Sequence, residues 1–308
     1  MSGSAPASKS TDDGDPKHKS GSVRGNPSGP SLGFVRERRY FEPEGQPDLP
    51  EVAMPAGDVT EGVVRVGATV RRPHQPTSFA VAAYLDHLEA AGFVGSPRFL
   101  GRDTAGRDVL TFLEGAVPAK EPDPWVLSPE LLASVGRLLR SLHDISAGYD
   151  PSEEPFPPRP IQQDPFELVT HLDVTPENVV VGNGQAVGLI DFDLAGPSTR
   201  YIDSFNTAMH WVKLRDPSDL SGAWAGVDQL DRLRVFADSY GWTAAERRRL
   251  PEFGADRAGL TWKRMEFNAV HAGGGWARMW SEGVGDVILR RRAWLLGQAD
   301  VIRSALLD

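Results

Sequence analysis

The residues with the clearest chemistry stand close together. Asp173 lies in His171-Leu172-Asp173-Val174-Thr175-Pro176-Glu177-Asn178, and a second acid opens Asp191-Phe192-Asp193 after Ile190. A carboxylate, an amide five residues on and a carboxylate beyond a short apolar stretch form the trio that phosphoryl transfer from a nucleotide requires. One carboxylate orients an attacking hydroxyl and takes its proton, while the amide oxygen and the other carboxylate hold magnesium over the phosphates. Magnesium accepts hard oxygen donors and usually takes only one or two from protein. Asp193 shares a face with Asp191 on an extended segment. Two roles stay open for it, reaching the metal or making a cap or ion pair.

Such a trio works only if the chain brings it together. Val179-Val180-Val181 and Ala186-Val187-Gly188-Leu189-Ile190 flank Gly182-Asn183-Gly184. Two apolar, β-branched runs around that turn read as a β-hairpin. A hairpin returns the chain on itself, so Asn178 and Asp191 are expected at the same end. Asp173 and Glu177 also admit a carboxylate-pair hydrolase, but that reading leaves Asn178 and Asp191 unexplained.

The pattern His-x-Asp-x-x-x-x-Asn followed by Ile-Asp-Phe-Asp resembles the aminoglycoside phosphotransferase family, small-molecule kinases that share the protein-kinase fold. Similarity of order runs from about residue 55 to the end, with the catalytic segment its specific part. The resemblance implies an α+β, bilobal protein-kinase-like fold with a small β-rich N-terminal lobe and a larger, mainly helical C-terminal lobe. It implies Asp173 as catalytic base, Asn178 and Asp191 as Mg2+ ligands, and His171 as a brace for the catalytic loop. Asp203, in Arg200-Tyr201-Ile202-Asp203, matches an acid that braces the same loop from a helix N-terminus. ATP or GTP is the implied co-substrate, and the acceptor a hydroxyl of an aminoglycoside-like antibiotic or a metabolite. The alternative is a nucleotide-binding pseudokinase with a regulatory role.

The remaining elements are placed by pattern. Residues 1–32 carry almost no large apolar side chain and are expected to form a disordered tail. Residues 33–114 should form a lead-in and the nucleotide-binding lobe, and 115–308 the catalytic and substrate-binding lobe. Val63–Gly67 and Thr69–Pro73 read as strands around a tight turn, and Val109–Leu113 as another. A helix capped by Thr77 or Ser78 carries Val81, Tyr84, Leu85 and Leu88. Ser128-Pro129 opens a second with Leu131, Leu132, Val135, Leu138, Leu139 and Leu142 on one stripe, and His143 at its end is a packing or capping residue. After Asp193 the chain reads as helical, with a capping box at Thr243–Glu246 and one long helix from Gly285 to Leu307. Arg290, Arg291 and Arg292 are expected on a solvated face of that last helix.

On the nucleotide side, two glycine patterns fail. Gly62 to Gly67-Ala68-Thr69 has P-loop spacing with alanine where the lysine must stand, and Gly182-Asn183-Gly184 opens no helix. The Gly57–Gly62 loop fits phosphate cover, and the resemblance puts Gly57, Asp58 and Thr60 there. Arg72, or Arg71 if the register slips by one, stands where the family has a phosphate-binding lysine. The helix that should hold this cation has no mid-helix glutamate; Glu89 falls in its last turn. The base should meet the linker at Phe112, Leu113 and Glu114. Substrate contacts are expected from Asp193 and from helices after Asp203, which hold His210, Trp211 and Glu266.

Composition narrows the classes. The chain has 308 residues, a net charge of -9 and no cysteine, which excludes disulfides and thiolate chemistry and fits a reducing, cytoplasmic setting. No apolar run approaches the roughly 18 residues of a membrane span. The negative balance argues against nucleic acid as a partner and would suit a cationic substrate.

Overall fold

The computed structural model describes residues 49–54, 62–157 and 166–308. The expected tail and the Gly57, Asp58 and Thr60 positions lie outside the described residues. The fold is the protein-kinase-like one, a small antiparallel sheet followed by a larger helical part.

The first sheet holds β1 (Val52–Ala53), β2 (Val64–Val66), β3 (Thr69–Arg72), β4 (Phe99–Arg102) and β5 (Asp108–Thr111) in the order β1-β2-β3-β5-β4. Neither β1 nor β4 is expected from the sequence. β1 has two residues and β4 reads Phe-Leu-Gly-Arg, so neither offers a period-2 pattern. Because β3 is interior, its alternation is strict: Thr69 and Arg71 are buried on one face, and Val70 and Arg72 point to the other. α1 (Ser78–Ala90) packs Tyr84, Leu85 and Leu88 inward. Its Thr77 N-cap makes no side-chain bond. Instead Ser78 donates its hydroxyl to Asp108 of β5, tying the helix start to the sheet.

The larger part is organised around α2 (Pro129–Ser146), whose Ser128 cap accepts from the Leu131 N–H at 3.2 Å. Leu131, Leu132, Val135, Leu139 and Leu142 are wholly buried. At about 25 cal/mol per Å² of apolar area, each contributes on the order of 2 kcal/mol. β6 (Leu168–Thr170) leads into the catalytic loop, and β7 (Val179–Gly182) and β8 (Gln185–Leu189) form the expected hairpin. Asn183 at φ +51° and Gly184 at +73° both lie in the left-handed region, as a type I′ turn requires. After Asp193 the chain makes one more strand, β9 (Gly196–Ser198), paired with β6, where only helix is expected.

The helices that follow are α3 (Arg200–Ala208), α4 (Gln229–Tyr240), α5 (Ala244–His271), α6 (Gly274–Ser281), α7 (Val284–Gly297) and α8 (Ala299–Leu307). Thr243 and Glu246 make the capping box of α5. The single terminal helix expected from Gly285 is therefore two, broken at Gln298 (φ -104°, ψ 13°). Among the described residues no helix is long and apolar enough to cross a membrane.

Candidate active site

The catalytic loop is built by satisfying a buried backbone. His171 is fully buried. Its Nε2 lies 3.0 Å from the Ile190 carbonyl, and its Nδ1 accepts from the Asp173 N–H at 3.3 Å. One nitrogen must donate and the other accept, so the ring is the neutral Nε2–H tautomer. Burial, the largest influence on it, lowers its proton affinity and keeps it neutral. Leu172 then takes φ +64°, a left-handed conformation costing an L side chain on the order of 1 kcal/mol. Asp203 holds it there: Oδ1 accepts the Leu172 N–H at 3.0 Å, and Oδ2 accepts His143 Nε2 at 3.0 Å. His143 is itself buried, with its Nδ1 2.7 Å from the Tyr240 hydroxyl. Thus α2, α3 and α4 together fix a single strained peptide beside Asp173.

Asp173 and Asn178 face one another across the loop. The Asn178 amide nitrogen donates to Asp173 Oδ2 and to the Asp173 carbonyl, both at 2.9 Å. Its amide oxygen is therefore the end presented to a cation. Ile190 donates its N–H to the Asn178 carbonyl at 2.9 Å, which extends the hairpin pairing and sets Asn178 beside Asp191. Asp191 sits at φ +62°, like Leu172 a non-glycine residue of the loop region in the left-handed conformation. Burial, and then the charge of Asp191, push the Asp173 carboxyl up to about 7. From its reference value near 3.9 it would be a feeble base; at about 7 it is matched to neutral pH.

The donor chemistry fits magnesium: one carboxylate, one amide oxygen and mutually repelling acids that gain from a cation. Among the described residues no cluster of three His, Asp or Glu forms a self-sufficient metal cage.

Arg72 reaches this acid pair from the small sheet. Its guanidinium lies 3.3 Å from Asp191 Oδ1 and contacts Asp193 Oδ2 more closely. Arg71, on the opposite face of β3, is buried 4.0 Å from Asp103. Of the two candidates for the lysine position, Arg72 is on the cleft side. Of the roles left open for Asp193, the ion pair is the one seen here, with Arg72, and it supplies the acid that α1 lacks. The α1 residues lining the cleft beside Arg72 are Ser78, Val81, Ala82 and Leu85, without a carboxylate.

The linker is only partly open to a nucleotide base. Phe112 donates its N–H to Ala68, and its ring lies 3.6 Å under the Arg65 guanidinium, which pairs with Glu114 at 2.7 Å. A base contact through the Phe112 N–H is therefore excluded; Leu113 and Glu114 remain. Gly115 comes so close to β7 that a Cβ there would lie 2.5 Å from Val180 Cγ1 and 2.8 Å from the Val181 carbonyl. Only glycine fits.

A family model described as the phosphotransferase enzyme family matches residues 156–236, the stretch that carries this loop. The trifolitoxin immunity protein of Rhizobium leguminosarum bv. trifolii is 32% identical over 209 residues, covering 64% of this chain and 76% of that protein. The chain belongs to the phosphotransferase enzyme family. In fold, this phosphotransferase family member is similar to a choline/ethanolamine kinase family protein from Mesorhizobium loti, at TM-score 0.54 and 17% identity. The match covers 83% of this chain and 92% of the other. An aminoglycoside phosphotransferase from Alicyclobacillus acidocaldarius subsp. acidocaldarius DSM 446 is similar at TM-score 0.45 and 13% identity, over 80% and 91% of the two chains.

Two expectations for the helical part of this family member are corrected, those for Trp211 and for the run Arg290, Arg291 and Arg292. Trp211 is completely buried and donates its indole N–H to the Val174 carbonyl at 3.0 Å, so it braces the catalytic loop rather than meeting substrate. Glu266 is exposed on α5 and makes no hydrogen bond or ion pair among the described residues. Arg290, Arg291 and Arg292 do not share a solvated face. Consecutive helical residues differ by about 100° in direction, and Arg291 is buried at 7% exposure while Arg290 is exposed. His210 is close to that buried arginine, in the π-turn Met209–Lys213. The sequence signal missed was the 3.6-residue period applied to three like charges.

Proposed function

We propose that this protein is a magnesium-dependent phosphotransferase that moves the γ-phosphoryl group of ATP or GTP to a hydroxyl of a small molecule. The observation that carries the reading is the Asp173–Asn178 contact beside Asp191, with Arg72 reaching in from the opposite lobe. Asp173 would orient the acceptor hydroxyl and take its proton late, as a loose transition state permits. Asn178 and Asp191 would hold magnesium, which neutralises charge building on the phosphate oxygens. Arg72 would transfer from the two aspartates to the phosphates, keeping a bidentate cation over the leaving group. The immunity for which the Rhizobium relative is named would follow if the acceptor is a toxic compound inactivated by phosphorylation.

A second reading, a nucleotide-binding regulator without turnover, draws on one observation. Arg72 pairs with Asp191 itself and so competes with the ion. The deciding experiment incubates the full chain with Mg-ATP or Mg-GTP and a panel of hydroxylated small molecules, scoring phosphate transferred. Magnesium-dependent transfer that disappears in Asp173→Asn is expected. Tight nucleotide binding with no transfer to any acceptor would favour the regulator, and near-normal turnover in Asp173→Asn would reject the base assignment.

A further inference from the structure

The sequence Met209-His210-Trp211-Val212-Lys213-Leu214-Arg215 puts three basic side chains just beyond α3. The backbone that carries them is fixed on every side. Trp211 is stapled to the catalytic loop at Val174, and Arg232 of α4 donates to the Trp211 carbonyl at 2.7 Å. Gln229 donates to the carbonyls of Lys213 and Arg215. Lys213 is held at φ +60°, a conformation a lysine adopts only under constraint.

Arg291 of α7 closes the group. It is 7% exposed, its Nη1 donates to the Met209 thioether at 2.8 Å, and its Nε has no hydrogen-bond partner. Arg215 Nε is likewise buried and unpartnered. Neither arginine, nor Lys213, has a carboxylate within ion-pair distance among the described residues. The nearby acids are committed or apart: Asp219 is taken by Arg290 through both oxygens at 2.6–3.1 Å, and Glu121 is exposed. The charge of Glu177, in the catalytic loop, is felt by Lys213 without pairing to it. Burial and then Arg215 push Lys213 down to about 8, and burial and then Arg215 push Arg291 down to about 10. Both remain cations at neutral pH.

Leaving buried guanidinium groups unpaired is costly and uncommon, and a protein retains them where a ligand completes them. Arg232 shows the contrast. Its Nε is buried without a partner too, but its two Nη groups donate to carbonyls, those of Leu127 and Trp211, whereas Arg291 finds only a thioether. The unpaired group lies on the large-lobe side of Asp173, where an acceptor must enter if the nucleotide comes from the small lobe.

We infer that Lys213, Arg215 and Arg291 form an anion-binding pocket in the acceptor site, so that the hydroxylated substrate carries a small oxyanion group, a carboxylate or a phosphate. The assignment to the acceptor rests on the phosphotransferase reading; anion binding by these residues does not. In an acidic protein of net charge -9, a group of three cations that meets no acid is a local reversal of sign that would select a negative group.

The test is calorimetric titration of the full chain with inorganic sulfate, and separately with acetate, after saturation with magnesium and a nonhydrolysable ATP analogue. The analogue fills the phosphate subsites, and its own binding isotherm tests the phosphotransferase reading independently. One sulfate site is expected, weakened at least about tenfold in Arg291→Met and in Lys213→Met, and unchanged in Arg248→Met, an arginine of α5 outside this cluster. Acetate stronger than sulfate would mark a carboxylate pocket, and the reverse a phosphate pocket. Melting without anion adds a readout that a structural role would not give: Arg291→Met should leave Tm unchanged or raise it, whereas Arg232→Met should lower it. Sulfate binding equally tight in both pocket variants, no anion binding by the wild type, or a fall in Tm for Arg291→Met matching that for Arg232→Met would overturn the inference.

Discussion

Cations on the two sides of the catalytic loop are treated in opposite ways. On the small-lobe side, Arg72 meets Asp191 and Asp193, Arg107 meets Asp103 and Glu51, and Arg65 meets Glu114. On the large-lobe side, Lys213, Arg215 and Arg291 meet no acid, although Arg291 is the most deeply buried of these six. The difference shows what each region requires before ligand arrives. In the small sheet, one of these pairs, Arg72 with Asp191 and Asp193, ties the sheet to the helical part, while the others stay within the sheet and its linker. In the helical part Arg140, Arg200, Arg247, Arg290 and Arg303 are likewise paired, so the want of an acid at Lys213, Arg215 and Arg291 is a local feature of that cluster.

The strongest blow to both sides at once is Asp173→Asn, expected to reduce magnesium-dependent transfer about 10³-fold or more while nucleotide binding survives. Arg72→Met separates them. It should weaken Mg-nucleotide binding about tenfold or more by calorimetry, with Arg72→Lys restoring part, and should lower Tm because Asp191 and Asp193 lose their partner. If Arg72→Met leaves Tm unchanged or raises it, as Arg291→Met is expected to, the contrast between the two sides fails.

The proton affinity of Asp173 gives a pH signature. Its folded value of about 7 is raised above the unfolded one, so the folded state holds a proton that the unfolded state releases. The ionised group therefore costs stability, a cost that is absent at pH near 4 and grows until pH passes about 7. Asp173→Asn should accordingly melt higher than wild type at pH 8, with the gap closing by pH 4. Turnover should rise with pH through about 7, at a lower midpoint when magnesium is saturating, because the ion offsets Asp191. A flat turnover profile between pH 5 and 8 would contradict the base assignment. The smallest effect belongs to the hairpin that serves both sides: Asn183→Ala, which forces alanine to φ near +51°, should cost about 1 kcal/mol by denaturant melting.

How much of this was legible follows the physics of each signal. The hairpin was, because turn chemistry and β-branched runs are local. So was the α2 stripe, because an amphipathic helix repeats its period over several turns. The nearness of Asn178 and Asp191 followed from that hairpin, whereas Asp173 was placed by the loop motif. β4 and β9 were not legible, since strands of three or four residues containing glycine or proline carry no period. The partner of Arg72 was not, because Asp193 lies 121 positions away and pairing at that distance is a tertiary fact. Trp211 reads identically whether it lines a pocket or braces a loop; only the buried Val174 carbonyl decides. Arg291 was legible in principle, since adjacent helical positions cannot all face water on an amphipathic helix.

Gly115 has a mechanical consequence. Ala116 exchanges both backbone hydrogen bonds with Val181, at 2.9 and 2.7 Å, and the missing Cβ of Gly115 lets the linker press onto β7. The segment that would grip the base is thereby riveted to the same hairpin whose ends present Asn178 and Asp191. The span between base and metal is set by one stiff ruler, and any opening of the two lobes must bend upstream of it, at or before Leu113.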